Sequence, residues 1–183
     1  MTSLDSPQGR GTSAHHVFHI EARDSIARAL RLIRAHLDMD VAFISEFMGD
    51  WRYMHFVDLQ RPDREPISVG DQILLQDGYC RHIVEGQLPE LIADTADVPA
   101  AMAIADTRTI PIGAHMSVPL HLADGRVFGT FCCFNFSARP DLRAQDLIAL
   151  RMVADQVAKK IDNSGYQLPF SEIETLLLKS KEA

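Results

Sequence analysis

Apolar residues recur at intervals of three and four in two stretches of the chain, which is the spacing of an amphipathic helix. The first stretch begins after Asp24, a suitable helix cap, and its apolar positions are Ile26, Leu30, Ile33 and Leu37. The second predicts a long helix that ends at residues 163–165, with Leu147, Leu150, Ala154, Val157 and Ile161. A short third helix is predicted after residues 171–174, which have the form of a capping box.

Between the helices the chain has the character of β-strands. Residues 41–48 and 51–58 are rich in β-branched and aromatic side chains and predict a hairpin. Residues 115–122 and 126–136 predict a second hairpin joined by an Asp-Gly turn, and its last strand is bulky on both faces, which indicates cover on both. This order predicts an α+β fold with a mostly antiparallel sheet. The smaller predicted elements are a helix at 78–85, a strand at 91–93, a surface loop able to cover a pocket at 59–71, and loop with helical turn at 94–108.

Composition restricts the class of protein. The chain has 183 residues, enough for one domain, and 18 basic against 25 acidic residues give a net charge of −7, which would repel nucleic acid. No apolar run reaches the roughly 18 residues of a membrane helix, and the polar amino terminus lacks a secretory leader. Three cysteines, an odd number, fit a reducing compartment. The cytoplasm is therefore the expected location, with neither nucleic acid nor membrane as a partner.

Three stretches carry a resemblance to a known family: DGYCRHIV at 77–84, LPELIADT at 88–95, and SVPL at 117–120 followed by GTFCCF at 129–134. They resemble the GAF domain, a small-molecule-sensing relative of the PAS fold. The last stretch is similar to GAF modules that precede bacterial cyclic-di-GMP phosphodiesterase (EAL) domains, and pigment-binding phytochrome domains are a more distant likeness. The resemblance implies an antiparallel sheet of about six strands, with the first and last helices on one face and loops and short helices over a ligand pocket on the other.

The expected organisation is a disordered leader at 1–19, a GAF sensory domain at 20–162, and a linker with a short helix at 163–183. The resemblance also implies dimerisation through the first and last helices. Because no phosphodiesterase, cyclase or kinase domain follows in this sequence, the output is expected to pass to a separate signalling protein.

The candidate ligand-binding residues combine aromatic bodies with hydrogen-bonding tips, as ligand sites do. Each taken alone is more often structural, and the set is Tyr53, His55, Tyr79, Cys80, His82, Arg108, His115 and Ser117. Cys132 and Cys133 are neighbours in a strand, so they point to opposite faces and cannot readily pair with each other. No histidines have the close spacing of a metal site, so no metal is expected.

The leading hypothesis is a non-catalytic sensory module that binds an unidentified small molecule in bacterial signal transduction. Two others remain open: a structural interaction module whose pocket is filled by its own side chains, and a tetrapyrrole or redox sensor using a histidine or Cys80. In pigment-binding relatives a histidine directly follows the cysteine, whereas Arg81 stands here before His82. The free methionine sulfoxide reductase, an enzymatic GAF relative, needs two cooperating cysteines, and Cys80 has no evident partner in the sequence. No enzymatic activity is therefore expected.

Assembly is predicted from a second apolar edge on the long helix, formed by Ile148 and Met152. A monomer would leave this edge in water, so we expect a homodimer through the first and long helices. The alternative is that residues 166–183 fold back over the edge within one chain.

Overall fold

A six-stranded antiparallel sheet organises residues 16–182, the part of the chain that the computed structural model describes. Across the sheet the strands lie in the order β3-β2-β1-β6-β5-β4, so the two predicted hairpins meet at its centre through β1 and β6. The short edge strand β3 is an addition to the predicted strands. In chain order the strands are β1 (Val41–Met48), β2 (Trp51–Leu59), β3 (Gln72–Leu74), β4 (Leu91–Ile92), β5 (Ala114–His121) and β6 (Val127–Asn135).

Helices cover both faces of the sheet. They are α1 (Ile20–Leu37), α2 (Tyr79–Val84), α3 (Pro99–Met102), α4 (Ala105–Thr109), α5 (Ala144–Asp162) and α6 (Phe170–Glu182), with 3-10 turns at Leu75–Asp77 and Thr95–Asp97. The long helices α1 and α5 lie on one face, and the short helices α2 to α4 lie on the other. This confirms the predicted fold class. Among the described residues, no helix has the length and apolar character needed to cross a membrane.

Two separate hydrophobic cores result from the alternation of side chains along the strands. The first core lies between the sheet and the long helices, and the second lies between the sheet and the short helices. Cys132 belongs to the second core and Cys133 to the first, which confirms that these neighbours point to opposite faces. A site on the second face is therefore walled by strands below and short helices above.

The first helix begins earlier than predicted. It starts at Ile20, and no side chain caps it. Ala22 is buried and extends the apolar stripe by about one turn toward the amino terminus. Phe18, which the prediction assigned to a leader at 1–19, is buried as well, so the leader boundary is wrong at this residue. The rest of the predicted leader, residues 1–15, lies outside the described residues.

The carboxy-terminal helix packs back onto the same chain, as in the alternative to the dimer. Ile173 of α6 is buried in the first core, and Arg28 of α1 pairs with Glu174 at 3.0 Å. The predicted capping box is wrong, because Ser171 lies inside α6. The helix begins at Phe170, whose ring lies 3.9 Å from the Arg28 guanidinium, a tertiary contact that extends it.

The second apolar edge of α5 is only partly covered in this arrangement. Met152 packs half-buried against the first core, whereas Ile148 remains 57% exposed. The fold-back of α6 therefore leaves apolar surface on the helical layer.

Candidate functional site

A small cavity lies within the second core, between the sheet and the helices α2 and α4. Its free volume is about 10 Å³, which is roughly enough for one water molecule. Ile67, from the loop predicted to cover a pocket, lines it together with four polar or amphipathic side chains, Arg52, Tyr79, Asp106 and His115. Aromatic and aliphatic side chains, among them Phe43, Met54 and Phe134, fill most of the remaining wall.

His115 and Tyr79 form a stacked pair at this cavity. Their ring centroids are 4.4 Å apart with planes inclined by 23°, and both residues are buried. Burial, assisted by the nearby charge of Arg52, lowers the pKa of His115 from 6.5 to about 3, so the imidazole is neutral near pH 7. Its Nδ1 atom is buried with no hydrogen-bond partner. The stack therefore presents an unsatisfied polar atom at the cavity, beside the charged side chains of Arg52 and Asp106.

Arg52 is a cavity-lining residue that sequence reasoning missed, together with its partner Asp106. It is 2% exposed in β2; its Nη2 pairs with Asp106 of α4, and its Nη1 donates to the Cys80 Sγ at 3.1 Å. Burial alone would lower the pKa of Arg52, but the neighbouring Cys80 and Asp106 outweigh it and raise that pKa, so the side chain stays charged. The Nε atom is buried without a partner. The sequence contains a clue, because Arg52 and apolar Met54 are two positions apart in a strand and therefore lie on the same face.

Gly78 makes room for this arginine. A Cβ atom built on Gly78 would lie 2.5 Å from the guanidinium carbon of Arg52, which is far inside van der Waals contact. The backbone of Gly78 is extended, a conformation that any residue can adopt. The glycine that precedes α2 is therefore needed for the close approach of the guanidinium and not for its backbone conformation.

A string of buried polar side chains continues from Arg52 across the sheet. The Cys80 Sγ lies 3.7 Å from the Cys132 Sγ, and the Cys132 Sγ lies 2.9 Å from the Ser117 Oγ. The Cys132 thiol also lies 3.2 Å from the Thr130 Oγ1, whose hydroxyl is in turn 3.2 Å from that of Ser45. The expectation that Cys80 lacks a partner is therefore wrong, because the packing of α2 against β6 supplies one.

Tyr53 and His55 lie on the opposite face of the sheet, which corrects their predicted position at the pocket. A β-bulge opposite Ile44 places His55 beside the first core, where its Nε2 contacts the Glu46 Oε2 at 2.7 Å. Its ring packs edge-on against Phe18 at 5.0 Å, and the tilted Tyr53 ring lies beside it at 4.8 Å. The bulge shifts the strand's alternation, and the hydrophobic pattern does not reveal it.

His82 and Arg108 lie on the outer surface of the short helices, away from the cavity. The His82 Nδ1 is 2.6 Å from the Gln87 Oε1, and the Arg108 Nη1 donates to the Ala103 carbonyl at 3.0 Å. Each helix turns only its buried side to the sheet, so these two side chains point outward. Within residues 16–182, no three His, Cys, Asp or Glu side chains gather closely enough to hold a metal ion.

A family model described as GAF domain matches residues 21–161. A sequence search of curated proteins found no match.

Solved structures similar to this chain include three GAF domains. The phycoerythrobilin-bound GAF domain from a cyanobacterial phytochrome has a TM-score of 0.64 and 18% identity, with 79% of this chain and 87% of that chain covered. The GAF domain from Acinetobacter phosphoenolpyruvate-protein phosphotransferase gives 0.63 and 13%, covering 80% and 85%. The blue-light absorbing form of the Thermosynechococcus elongatus PixJ GAF domain gives 0.62 and 10%, covering 88% and 94%. At such identities the likeness shows the fold alone.

Proposed function

The chain belongs to the GAF domain family, and from that premise we propose that it is a non-catalytic sensory module that binds a small polar molecule at the cavity beneath α2 and α4. The observation that carries the proposal is a pair of unsatisfied atoms. Arg52 Nε and His115 Nδ1 are both buried, both without a hydrogen-bond partner, and both belong to residues lining one cavity. Leaving such groups unpaired costs about 1–3 kcal/mol each, so a ligand that satisfies them gains binding energy.

The two atoms define the chemistry that the ligand needs. Arg52 Nε carries a hydrogen and requires an acceptor, such as a carbonyl, hydroxyl or carboxylate oxygen. Neutral His115 offers Nδ1 as acceptor or donor, depending on its tautomer. Aromatic rings of Phe43, Tyr79 and Phe134 surround the polar pair and suit a flat or apolar remainder.

Ligand entry requires the cover to move, because the cavity has only about 10 Å³ of free volume. The cover consists of α2 and α4, helices of six and five residues, which are too short to be stable on their own. Asp106 of α4 is tied to the sheet through Arg52. A ligand that competes for this guanidinium would release α4, which links occupancy to a change of shape.

Mass spectrometry of the purified protein tests the proposal. Under native conditions the wild type should carry a noncovalent mass that denaturing conditions remove. Arg52→Lys keeps the charge but loses the Nε donor, and His115→Phe keeps the ring but loses both nitrogens, so both variants should lose the bound mass. His121→Phe, an exposed change at the end of the same strand, is the matched control and should retain it.

The alternative of a structural module with a self-filled pocket makes the opposite prediction. The aromatic side chains already fill most of the cavity, which is the observation in its favour. A wild type that carries no ligand, and whose melting temperature is unchanged by a panel of small carboxylates, amides and alcohols, would support this alternative.

We also propose that the sensory signal passes through a homodimer formed by the helical layer. Exposed apolar residues remain there after α6 has packed, namely Ile20, Ile148, Leu176 and Leu178. Ile148→Glu would place a charge in such an interface and should yield a monomer by light scattering. Met102→Glu, a change at another exposed apolar residue on α3 at the other face, is the control. A monomeric wild type would contradict the dimer.

The setting we propose is cyclic-di-GMP signalling in the bacterial cytoplasm, with a separate effector protein receiving the output. The similarity of residues 117–120 and 129–134 to EAL-associated GAF modules supports it. Unchanged cyclic-di-GMP levels after deletion of the protein would argue against this setting.

A further inference from the structure

Two sulfur atoms from distant parts of the chain meet beside the cavity. Cys80 is the second residue of α2, and Cys132 lies in the middle of β6, 52 residues away. Their Sγ atoms are 3.7 Å apart, which is van der Waals contact. A disulfide needs the sulfurs at about 2.05 Å, so a shift of about 1.6 Å in side chains or in α2 would join them.

The surroundings of the two thiols differ. The Arg52 guanidinium donates to the Cys80 Sγ at 3.1 Å, whereas Cys132 faces the hydroxyls of Ser117 and Thr130. The contact with Cys132, aided by the charge of Arg52, lowers the pKa of the Cys80 thiol despite its burial. Burial raises the pKa of Cys132. Cys80 is therefore a thiolate held by the Arg52 cation, whereas the neighbouring Cys132 is a neutral thiol.

Cys133 provides an internal contrast. It is as buried as Cys132 and adjacent in sequence, but it points into the first core on the opposite face of the sheet. Burial raises the pKa of the Cys133 thiol as well. Since the chain has three cysteines and the other two lie on the far face, Cys133 has no sulfur to pair with within its own fold.

We propose that Cys80 and Cys132 form a peroxide-reactive dithiol, with Cys80 as the attacking sulfur and Cys132 as the resolving one. The Cys80 thiolate attacks one oxygen of hydrogen peroxide and breaks the O–O bond; the other oxygen leaves, takes up a proton and becomes water. The resulting Cys80 sulfenic acid is attacked by Cys132, which loses its proton as the sulfenic oxygen departs as a second water. Two thiols lose two electrons to form one disulfide, and one peroxide becomes two waters.

The size of the cavity selects the oxidant. Arg52 lines the cavity and donates to the Cys80 Sγ, so one side chain separates the cavity from the reactive sulfur. With the cover closed, its free volume of about 10 Å³ suits a molecule near the size of water, so a bulky organic peroxide enters only when the cover opens widely. Hydrogen peroxide is also uncharged and can cross apolar packing when the short cover opens. This inference stands whether or not the cavity also takes the proposed ligand.

Oxidation would also change the site. A disulfide removes the thiolate that faces Arg52 and leaves Asp106 as its remaining ionic partner. It also ties α2 to β6, so the cover would lose the opening that a ligand needs.

Thiol counting and peptide mapping test the proposal on the folded full chain. After treatment with hydrogen peroxide and alkylation in denaturant, the wild type should lose two of its three thiols, and digestion should yield a Cys80–Cys132 cross-linked peptide that a dithiol reductant removes. Cys133→Ser should lose its remaining two thiols in the same way. Cumene hydroperoxide should react more slowly, because it does not fit the cavity.

The single variants separate the two roles. Cys80→Ser should keep both remaining thiols, and Cys132→Ser should accumulate a sulfenic acid on Cys80 that dimedone traps. Circular dichroism checks that each variant folds. If Cys80→Ser or Cys132→Ser does not fold, peptide mapping of the wild type and Cys133→Ser still decides whether the disulfide forms. No cross-link in the folded wild type, a cross-link through Cys133, or oxidation that appears only in urea would overturn the proposal.

Discussion

Acid should destabilise this protein through His115, and replacing that residue should remove the effect. The pKa of His115 is about 3 in the folded chain and 6.5 when unperturbed, so below pH 6.5 the unfolded chain binds a proton that the folded chain excludes. The stability associated with the neutral ring is fully present above pH 6.5 and is lost as the pH falls from there toward 3. One pKa unit corresponds to about 1.4 kcal/mol. At about pH 5 the loss is therefore about 2 kcal/mol.

Urea unfolding at about pH 7.5 and about pH 5 measures this difference. From about pH 7.5 to about pH 5, the free energy of unfolding of the wild type and of the control His121→Phe should fall by about 2 kcal/mol more than that of His115→Phe. The wild type and His115→Phe share every other ionisable group, so comparing their losses isolates His115, and His121→Phe controls for the loss of an exposed histidine. An equal loss in His115→Phe and the wild type would refute the argument that burial keeps this imidazole neutral.

Three further results are expected. Gly78→Ala should destabilise the fold by about 1–3 kcal/mol in urea, because its Cβ would meet the Arg52 guanidinium, and an unchanged midpoint would contradict that packing. Ile173→Asp should lower the free energy of unfolding by about 3 kcal/mol or more, because it buries a charge beneath α6. Leu178→Asp, at a position 69% exposed on the same helix, should change the stability little. Equal effects of the two changes would contradict the docking of α6. After incubation with haem or biliverdin and removal of free pigment, the protein should show no visible absorbance, because the cavity has about 10 Å³ of free volume. A protein-bound Soret or red band would show that the pocket opens to a pigment.

The predictable part of the fold consists of elements that bury one continuous face. The helices α1 and α5 and the two hairpins do so, and burial therefore repeats in the sequence with the period of each element. The errors lie where another part of the chain extends an element. The α6 helix begins at Phe170, where the Arg28 guanidinium packs on the ring. The strand β3 has only three residues, too few for a periodic pattern.

The structure gathers only part of the predicted residue set around the cavity. Tyr79 and His115 line the cavity, and Cys80 and Ser117 belong to the polar string beside it. Tyr53 lies on the other face by alternation with Arg52 and Met54, and His55 is the extra residue of the bulge. His82 and Arg108 were misplaced because the orientation of a short helix depends on what it packs against. A six-residue helix is too short for its sequence pattern to show which side faces the sheet.

The sequence by itself determined the α+β class, the antiparallel hairpins, the negative charge and the resemblance to the GAF family, because local periodicity, turn residues and short motifs are written along the chain. Only the tertiary structure decided that α6 folds back, that Arg52 is the buried cation of the cavity, and that Cys80 meets Cys132. Those contacts join residues 146, 54 and 52 positions apart. Such contacts depend on how whole elements pack across the sheet, and no local pattern specifies which side chains then come into reach.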